Sequence, residues 1–294
     1  MRLVAGMIMG SLIVALLLCG NDKSTFALMT IIQAKVFHEL RRIGLTIDNV
    51  HREKIQIYSD CGLFSVALLG LIDVVWFRGS KMLVWFMLYT LWFVFWVIFV
   101  LNQASSSSIL GQHIAHQSWI HLSILYTLTQ PAFIHWNIAN GGLFWFIFPC
   151  FLVICNDCSA YYCGNRWGKT RLISLSPSKT VGGFVGALCI TVLFGYITCT
   201  CCMHEHYRLL VCFVNSINLE IYSNIRYHGV IMALYASIFA PFGGFLASAL
   251  KRATNIKDFA GWIPGHGGIV DRVDCQLFMA VFTYIYYQFI VDMR

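Results

Sequence analysis

Long apolar runs dominate this chain and decide its fold class before any motif is considered. Nine of them, at roughly 3–19, 25–37, 58–77, 82–101, 117–136, 143–160, 181–201, 228–249 and 273–292, read as bilayer-crossing helices, the second being the shortest. A crossing needs about 20 apolar residues when helical. Backbone in hydrocarbon must satisfy its own hydrogen bonds, so runs of this length imply helices rather than open strands. The composition agrees: 59% of the 294 residues are hydrophobic and 11% charged, too little polar surface for a soluble chain. The expected fold is all-α, a polytopic transmembrane helical protein with about nine spans.

The 20 Lys and Arg gather in short segments near the span ends. One group holds Lys35, Arg41, Arg42, Arg52 and Lys54. A second holds Arg166, Lys169, Arg171 and Lys179, and a third Lys251, Arg252, Lys257 and Arg272. Alternating nine spans puts these groups and Arg2 on one side, 14 cations in all, and leaves six on the other. The cation-rich side is cytoplasmic by the positive-inside rule. The formal charge of +7 therefore speaks of topology and anionic head groups, with no nucleic acid implied.

The segment 248–274, SALKRATNIKDFAGWIPGHGGIVDRVD, concentrates polar chemistry between two apolar spans. Cations hold phosphate oxygens, carboxylates hold Mg²⁺, and glycine N–H groups cradle oxyanions. At a membrane surface this combination points to a phosphorylated lipid or nucleotide. Asp271 and Asp274 are three apart, which places them on one face of a helix, able to grip Mg²⁺ together. A second polar group follows the run Phe144 to Cys155: Asn156-Asp157, then Lys169, Ser176, Lys179 and Thr180. An Asp at the end of a span calls for a polar cavity, a cation or a partner.

Other features read as structural. The cysteine groups 155, 158, 163 and 199, 201, 202 lack a second pair to complete a tetrahedral metal site, so they read as free thiols. The histidines at 113, 116 and 121 have no acidic neighbour in sequence and read as ordinary hydrogen-bonding residues. Residues 1–20 read as a retained first span, with a secretory signal as the alternative.

The segment also resembles the signature of the phosphatidate cytidylyltransferases, the CDP-diacylglycerol synthases. The matching residues are Ser248, Lys251-Arg252, Lys257-Asp258, Ala260, Pro264-Gly265-His266-Gly267-Gly268 and Asp271-Arg272-Val273-Asp274. Asn156-Asp157, Ala160-Tyr161, Ser176-Pro177, Lys179-Thr180 and Gly183-Phe184 resemble a second family segment. The likeness runs from about residue 30 to the end and leans to the eukaryotic branch. It departs at Ser178, where the family usually has Lys, and at Gly182, where it usually has Glu. Gly141 stands where another Glu is common.

The resemblance implies transfer of CMP from CTP to phosphatidate, with Mg²⁺ as cofactor. Its implied catalytic residues are Asp271, Asp274, Asp258, Lys257, Arg272 and His266. Lys251, Arg252, Lys179, Ser176, Gly267 and Gly268 would bind phosphate, and Asp271, Asp274 and Asp157 would hold metal. On this reading, residues 1–57 are N-terminal spans with a basic cytosolic loop. Residues 58–294 form the transferase domain, with active-site loops 156–183 and 248–274 facing the cytosol. The implied partners are CTP, phosphatidate, membrane lipids and a second copy of the chain, and the implied membrane is the endoplasmic reticulum. Two other readings stand beside this one: a transporter, and a catalytically weak relative with a scaffold role, suggested by Gly182 and Ser178.

Overall fold

A computed structural model describes residues 22–47, 54–77, 79–103, 107–173, 176–202, 219–256, 258–260 and 267–291. The run at 3–19 and the signal alternative lie outside them. The described chain is helical throughout except for one hairpin. Its helices are α1 (Asp22–Ile47), α2 (Lys54–Phe77), α3 (Met82–Gln103), α4 (Ser107–Gly141) and α5 (Phe144–Trp167). Strands β1 (Arg171–Ile173) and β2 (Ser176–Thr180) follow. Then come α6 (Val181–Cys202), α7 (Leu219–Ile238), α8 (Pro241–Ala253) and α9 (Val270–Tyr286), which ends in a π-helical turn, Tyr287–Val291.

Among the described residues, five stretches are long and apolar enough to cross a membrane: Ile57–Phe77, Met82–Asn102, Phe144–Trp167, Val181–Cys201 and Asn224–Ala253. They coincide with five of the nine expected spans, and the chain is an all-α polytopic membrane protein. The expected spans 25–37, 117–136 and 273–292 are helical too, but fall outside this set. Their helices carry buried polar side chains, among them Gln33, Gln117, Thr127, Gln130 and Thr283, which lower hydropathy while facing protein rather than lipid. The expected span 228–249 is two helices. The turn at Phe239–Ala240 separates α7 from α8, whose first residue is Pro241. Proline suits that position because the first N–H of a helix has no intrahelical partner.

By contacts the chain forms two compact units. The first unit comprises Met1–Ala132 with Phe259–Val270, and the second Phe133–Asp258 with Asp271–Arg294.

In the first unit, Phe37 stacks on Phe64 with centroids 4.2 Å apart, beside buried Leu63 and Ile120. Asp60 is buried between Arg41, whose Nε lies at 3.3 Å, and His116, whose Nε2 lies at 3.2 Å. Burying a carboxylate demands such partners. The acidic partner of His116 thus exists, but 56 residues away in sequence. His121 pairs with the Tyr89 hydroxyl at 2.9 Å and with Gln117.

In the second unit, α5, α6, α7 and α9 share a core that includes Phe148, Leu152, Ile225, Met232 and Met279. Helix α6 packs closely on α5 because its side chains are missing where backbone approaches. A Cβ at Gly183 would lie 2.7 Å from the Ala160 carbonyl and 3.1 Å from Gly164 Cα, and one at Gly186 2.6 Å from Cys163 Sγ. Small residues at such spacing are how membrane helices pack closely.

Candidate active site

The first half of the site is built by the α5–hairpin–α6 connection. Helix α5 ends at Gly168, whose N–H bonds the Gly164 carbonyl. The chain then reverses through the antiparallel pair, with Arg171 opposite Thr180 and Ile173 opposite Ser176. Thr180 caps α6: its Oγ1 accepts the Gly183 N–H at 3.1 Å, satisfying a helix-start donor. The hairpin sets Lys179 at the foot of α6, and the close α5–α6 packing brings it toward Asp157, one turn above Ala160 on α5. Lys179 and Arg272 both act electrostatically on Asp157.

The second half comes from α8 and α9. These helices touch backbone to backbone, since a Cβ at Gly243 would strike the Asp274 carbonyl. Next to it, a Cβ at Gly244 would stand 3.0 Å from Lys179 Nζ and 3.4 Å from Asp274 Oδ2. The absent side chain leaves room for that ammonium and that carboxylate. Lys179 Nζ also sits 4.4 Å from the centroid of the Phe245 ring, a cation–π contact. Asp274 Oδ1 accepts the Cys275 N–H at 2.7 Å, and Asp274 feels the charges of Asp157 and Lys179. Lys251, in the last turn of α8, grips Asp271 Oδ1 at 2.6 Å. Arg252, Arg272 and Asp258 are exposed.

A cavity of about 190 Å³ opens between these parts of the second unit. Asn156, Asp157, Lys179 and Thr180 supply its polar wall. Phe184, Ala187, Pro241 and Phe245 supply apolar wall.

In the first unit, the glycine-rich segment is held by a residue that the sequence reading passed over. Glu39 is fully buried, and its two oxygens accept the N–H groups of Ile269 at 2.9 Å and Val270 at 3.0 Å. Gly267 has φ +80°, which favours glycine, and a Cβ at Gly268 would lie 2.7 Å from Glu39 Oε2. These two glycines, expected to cradle phosphate, are thus also required by backbone shape and by room for Glu39.

The profile described as Cytidylyltransferase family matches residues 1–290. The chain belongs to the cytidylyltransferase family. Among curated relatives it is 43% identical over 202 residues to a protein of Saccharomyces cerevisiae named phosphatidate cytidylyltransferase, covering 57% of this chain and 43% of that one. It is 39% identical over 226 residues to phosphatidate cytidylyltransferase 3 of Arabidopsis thaliana, covering 67% and 47%. With human phosphatidate cytidylyltransferase 1 it shares 39% over 202 residues, covering 58% and 43%. The chain spans about half the length of the curated relatives it matches.

Against the family pattern, the structure accounts for two of the departures by space. A Cβ at Gly182 would stand 2.9 Å from the Trp167 carbonyl oxygen and 3.2 Å from its carbon. One at Gly141 would lie 2.5 Å from Trp145 Cδ1 and 2.8 Å from Tyr287 Cε2. Neither site has room for a glutamate as packed here. Ser178 lies in β2, and its departure has no structural explanation. Of the residues expected in the site, Asp157 feels Lys179 and Arg272, Asp274 feels Asp157 and Lys179, and Asp271 pairs with Lys251. Ser176 is placed in β2. Lys257 and His266 lie outside the described residues. The described members of both cysteine groups, Cys155, Cys158, Cys163, Cys199 and Cys201, are free thiols. Sequence reasoning passed over Glu39 in the first unit, and it named Asn156 without giving its side chain a role in the second. Glu39 sits among Lys35, His38, Arg41 and Arg42, where a carboxylate reads as an ion-pair partner, so its backbone role had no distinct signal in the sequence.

Proposed function

We propose that this chain transfers CMP from CTP to phosphatidate, giving CDP-diacylglycerol and pyrophosphate. The observation that carries the reading is the meeting of two carboxylates, Asp157 and Asp274, with Lys179 and Arg272 in a member of this family. The relatives named above support phosphatidate as the acceptor.

A phosphate oxygen of phosphatidate attacks the α-phosphorus of CTP in line. The new P–O bond forms as the bridging bond to the β-phosphate breaks, and that electron pair leaves with pyrophosphate. The nucleophile is anionic near neutral pH and needs no strong base. The barrier is repulsion between two polyanions, so the chain's task is to bring cations to both. Lys179 and Arg272 do this beside the carboxylates, and Lys251, Arg252 and Ser176 of the same unit are further donors for phosphate. Lys251 is steadied by Asp271. Asp258 completes the acidic set.

The donor chemistry fits Mg²⁺. Among the described residues no three His, Cys, Asp or Glu gather around one point. Mg²⁺ is usually held by one or two carboxylates, with waters and substrate phosphates filling its other positions. Asp157 and Asp274 supply that pair, and Asp271 is the reserve ligand, to be released by Lys251. When bound, the ion neutralises charge building on the leaving pyrophosphate.

The cation asymmetry supports a site facing the cytosol, and the eukaryotic relatives support an internal membrane such as the endoplasmic reticulum. Purified protein in lipid nanodiscs, given CTP and phosphatidate, should form CDP-diacylglycerol. EDTA should stop it and Mg²⁺ should restore it. No product under any of these conditions would reject the reading.

A further inference from the structure

We propose that Asn156 reads the base of the nucleotide, its side-chain carbonyl accepting a hydrogen bond from the exocyclic amine of cytosine. This rests on the cytidylyl-transfer reading above and assigns the part of the site that recognises the base.

Asn156 is 4% exposed and lines the cavity of the second unit. Its Oδ1 is buried and has no hydrogen-bond partner. Buried polar atoms are nearly always paired, so an orphan of this kind is explained by something the site takes up. The orphan is an acceptor and calls for a donor. Ionised phosphate groups offer acceptors, so the triphosphate does not satisfy it. Phosphatidate has both remaining glycerol oxygens esterified, and the one proton left on its phosphate monoanion is lost when it becomes the dianion that attacks CTP. Cytosine satisfies the orphan: its N4 amine is a donor, and N3 beside it is an acceptor, the complement of a carboxamide's oxygen and NH₂. Uracil carries a carbonyl where cytosine carries the amine.

The rest of the cavity fits a base. Phe184, Ala187, Pro241 and Phe245 give it apolar walls, and binding sites for flat heterocycles combine such walls with a few placed polar groups. Lys179 lines the same cavity, so a single nucleotide can offer anionic oxygens to the ammonium and an N–H to Asn156. A metal ligand role for Oδ1 fits less well. Mg²⁺ held by Asp157 and Asp274 fills its other positions with waters and phosphate oxygens, so it does not call for a carboxamide oxygen.

The test uses the whole protein in nanodiscs with phosphatidate and compares wild type with Asn156→Ala. Without nucleotide, the variant should melt at or above the wild-type temperature, because it loses a polar group that had no partner. Its kcat/KM for CTP should fall roughly 10–100-fold, the size of a lost bidentate base contact, while kcat/KM for UTP changes little. The CTP-over-UTP preference therefore collapses. KM for phosphatidate and the Mg²⁺ concentration for half-maximal rate should hold. Asn156→Leu, close in volume and apolar, should give the same collapse and serves if the alanine variant does not fold. An unchanged CTP-to-UTP ratio overturns the proposal. A raised Mg²⁺ requirement with the ratio intact also overturns it and reassigns Asn156 to the metal. An equal loss for CTP when the 2′-hydroxyl is present, and none for 2′-deoxy-CTP, would move the contact from base to sugar and overturn it too. Wild-type protein that makes no CDP-diacylglycerol defeats the parent reading, a result distinct from any of these.

Discussion

Removing the charge of Asp274 should silence the site and leave the fold standing. Asparagine keeps the oxygen that accepts the Cys275 N–H at 2.7 Å, so the local backbone contact survives. What goes is one of the two carboxylates that face Lys179. Loss of one preorganised charge-stabilising group costs roughly 10²–10³-fold in rate. Initial rates of CDP-diacylglycerol formation for Asp274→Asn, beside its melting curve, check this. A variant within a few-fold of wild type would take Asp274 out of the site. Gly182 carries the opposite expectation to the one its family neighbours suggest. Restoring glutamate there looks like a repair on sequence grounds. In the structure the new Cβ would meet the Trp167 carbonyl oxygen at 2.9 Å, and backbone cannot swing aside as a side-chain tip can. Gly182→Glu should therefore destabilise the protein by about 1–3 kcal/mol, the range for overpacking, and lower turnover with it. A thermal melt and a rate settle the sign. Higher activity at unchanged melting temperature would show that α6 yields there.

At the scale of elements, the glycines of α6 are what hold the site's two walls together. Gly183→Val would press branched atoms against the Ala160 carbonyl and Gly164 Cα, separating α6 from α5 and drawing Lys179 away from Asp157. Both stability and rate should drop, and Gly183→Ala should fall between. A valine variant with wild-type rate would show that the packing does not position Lys179. This stripe was visible in sequence only as G-G-F-V-G, without any indication of the helix it would meet. The long helices were legible because apolar length is a strong signal, and Phe144–Trp167 and Val181–Cys201 were found within a few residues at most ends. The hairpin at 171–180 was not, because β1 has three residues and β2 carries Ser, Pro, Ser and Lys, with no alternating pattern to read. The break before α8 had a cue in Pro241, yet the apolar run continues across it. Asp271 and Asp274 were read correctly as neighbours on one helix. Their separation into a Lys251 partner and a Lys179 partner depends on α8 and the hairpin, which helical spacing does not reveal.

At the scale of the whole molecule, the cation-rich segments should share one side of the membrane. Single-cysteine labelling in sealed vesicles should find residues 41–54, 164–179 and 255–270 on one side and 204–226 on the other, as 14 cations against six require. Labelling of 204–226 from the same side as 255–270 would break that arrangement. The central claim is that a phosphoryl bond is made between CTP and a lipid phosphate in this chain. The direct measurement follows the label. Purified protein receives phosphatidate vesicles, Mg²⁺ and CTP labelled either at the α- or at the γ-phosphate. The α-label should pass into the lipid phase as CDP-diacylglycerol and the γ-label stay in water as pyrophosphate, in equal amounts, with neither product appearing in Asp274→Asn. Label from the γ-phosphate in the lipid, or an α-label that never leaves the water while the protein is folded, would contradict it.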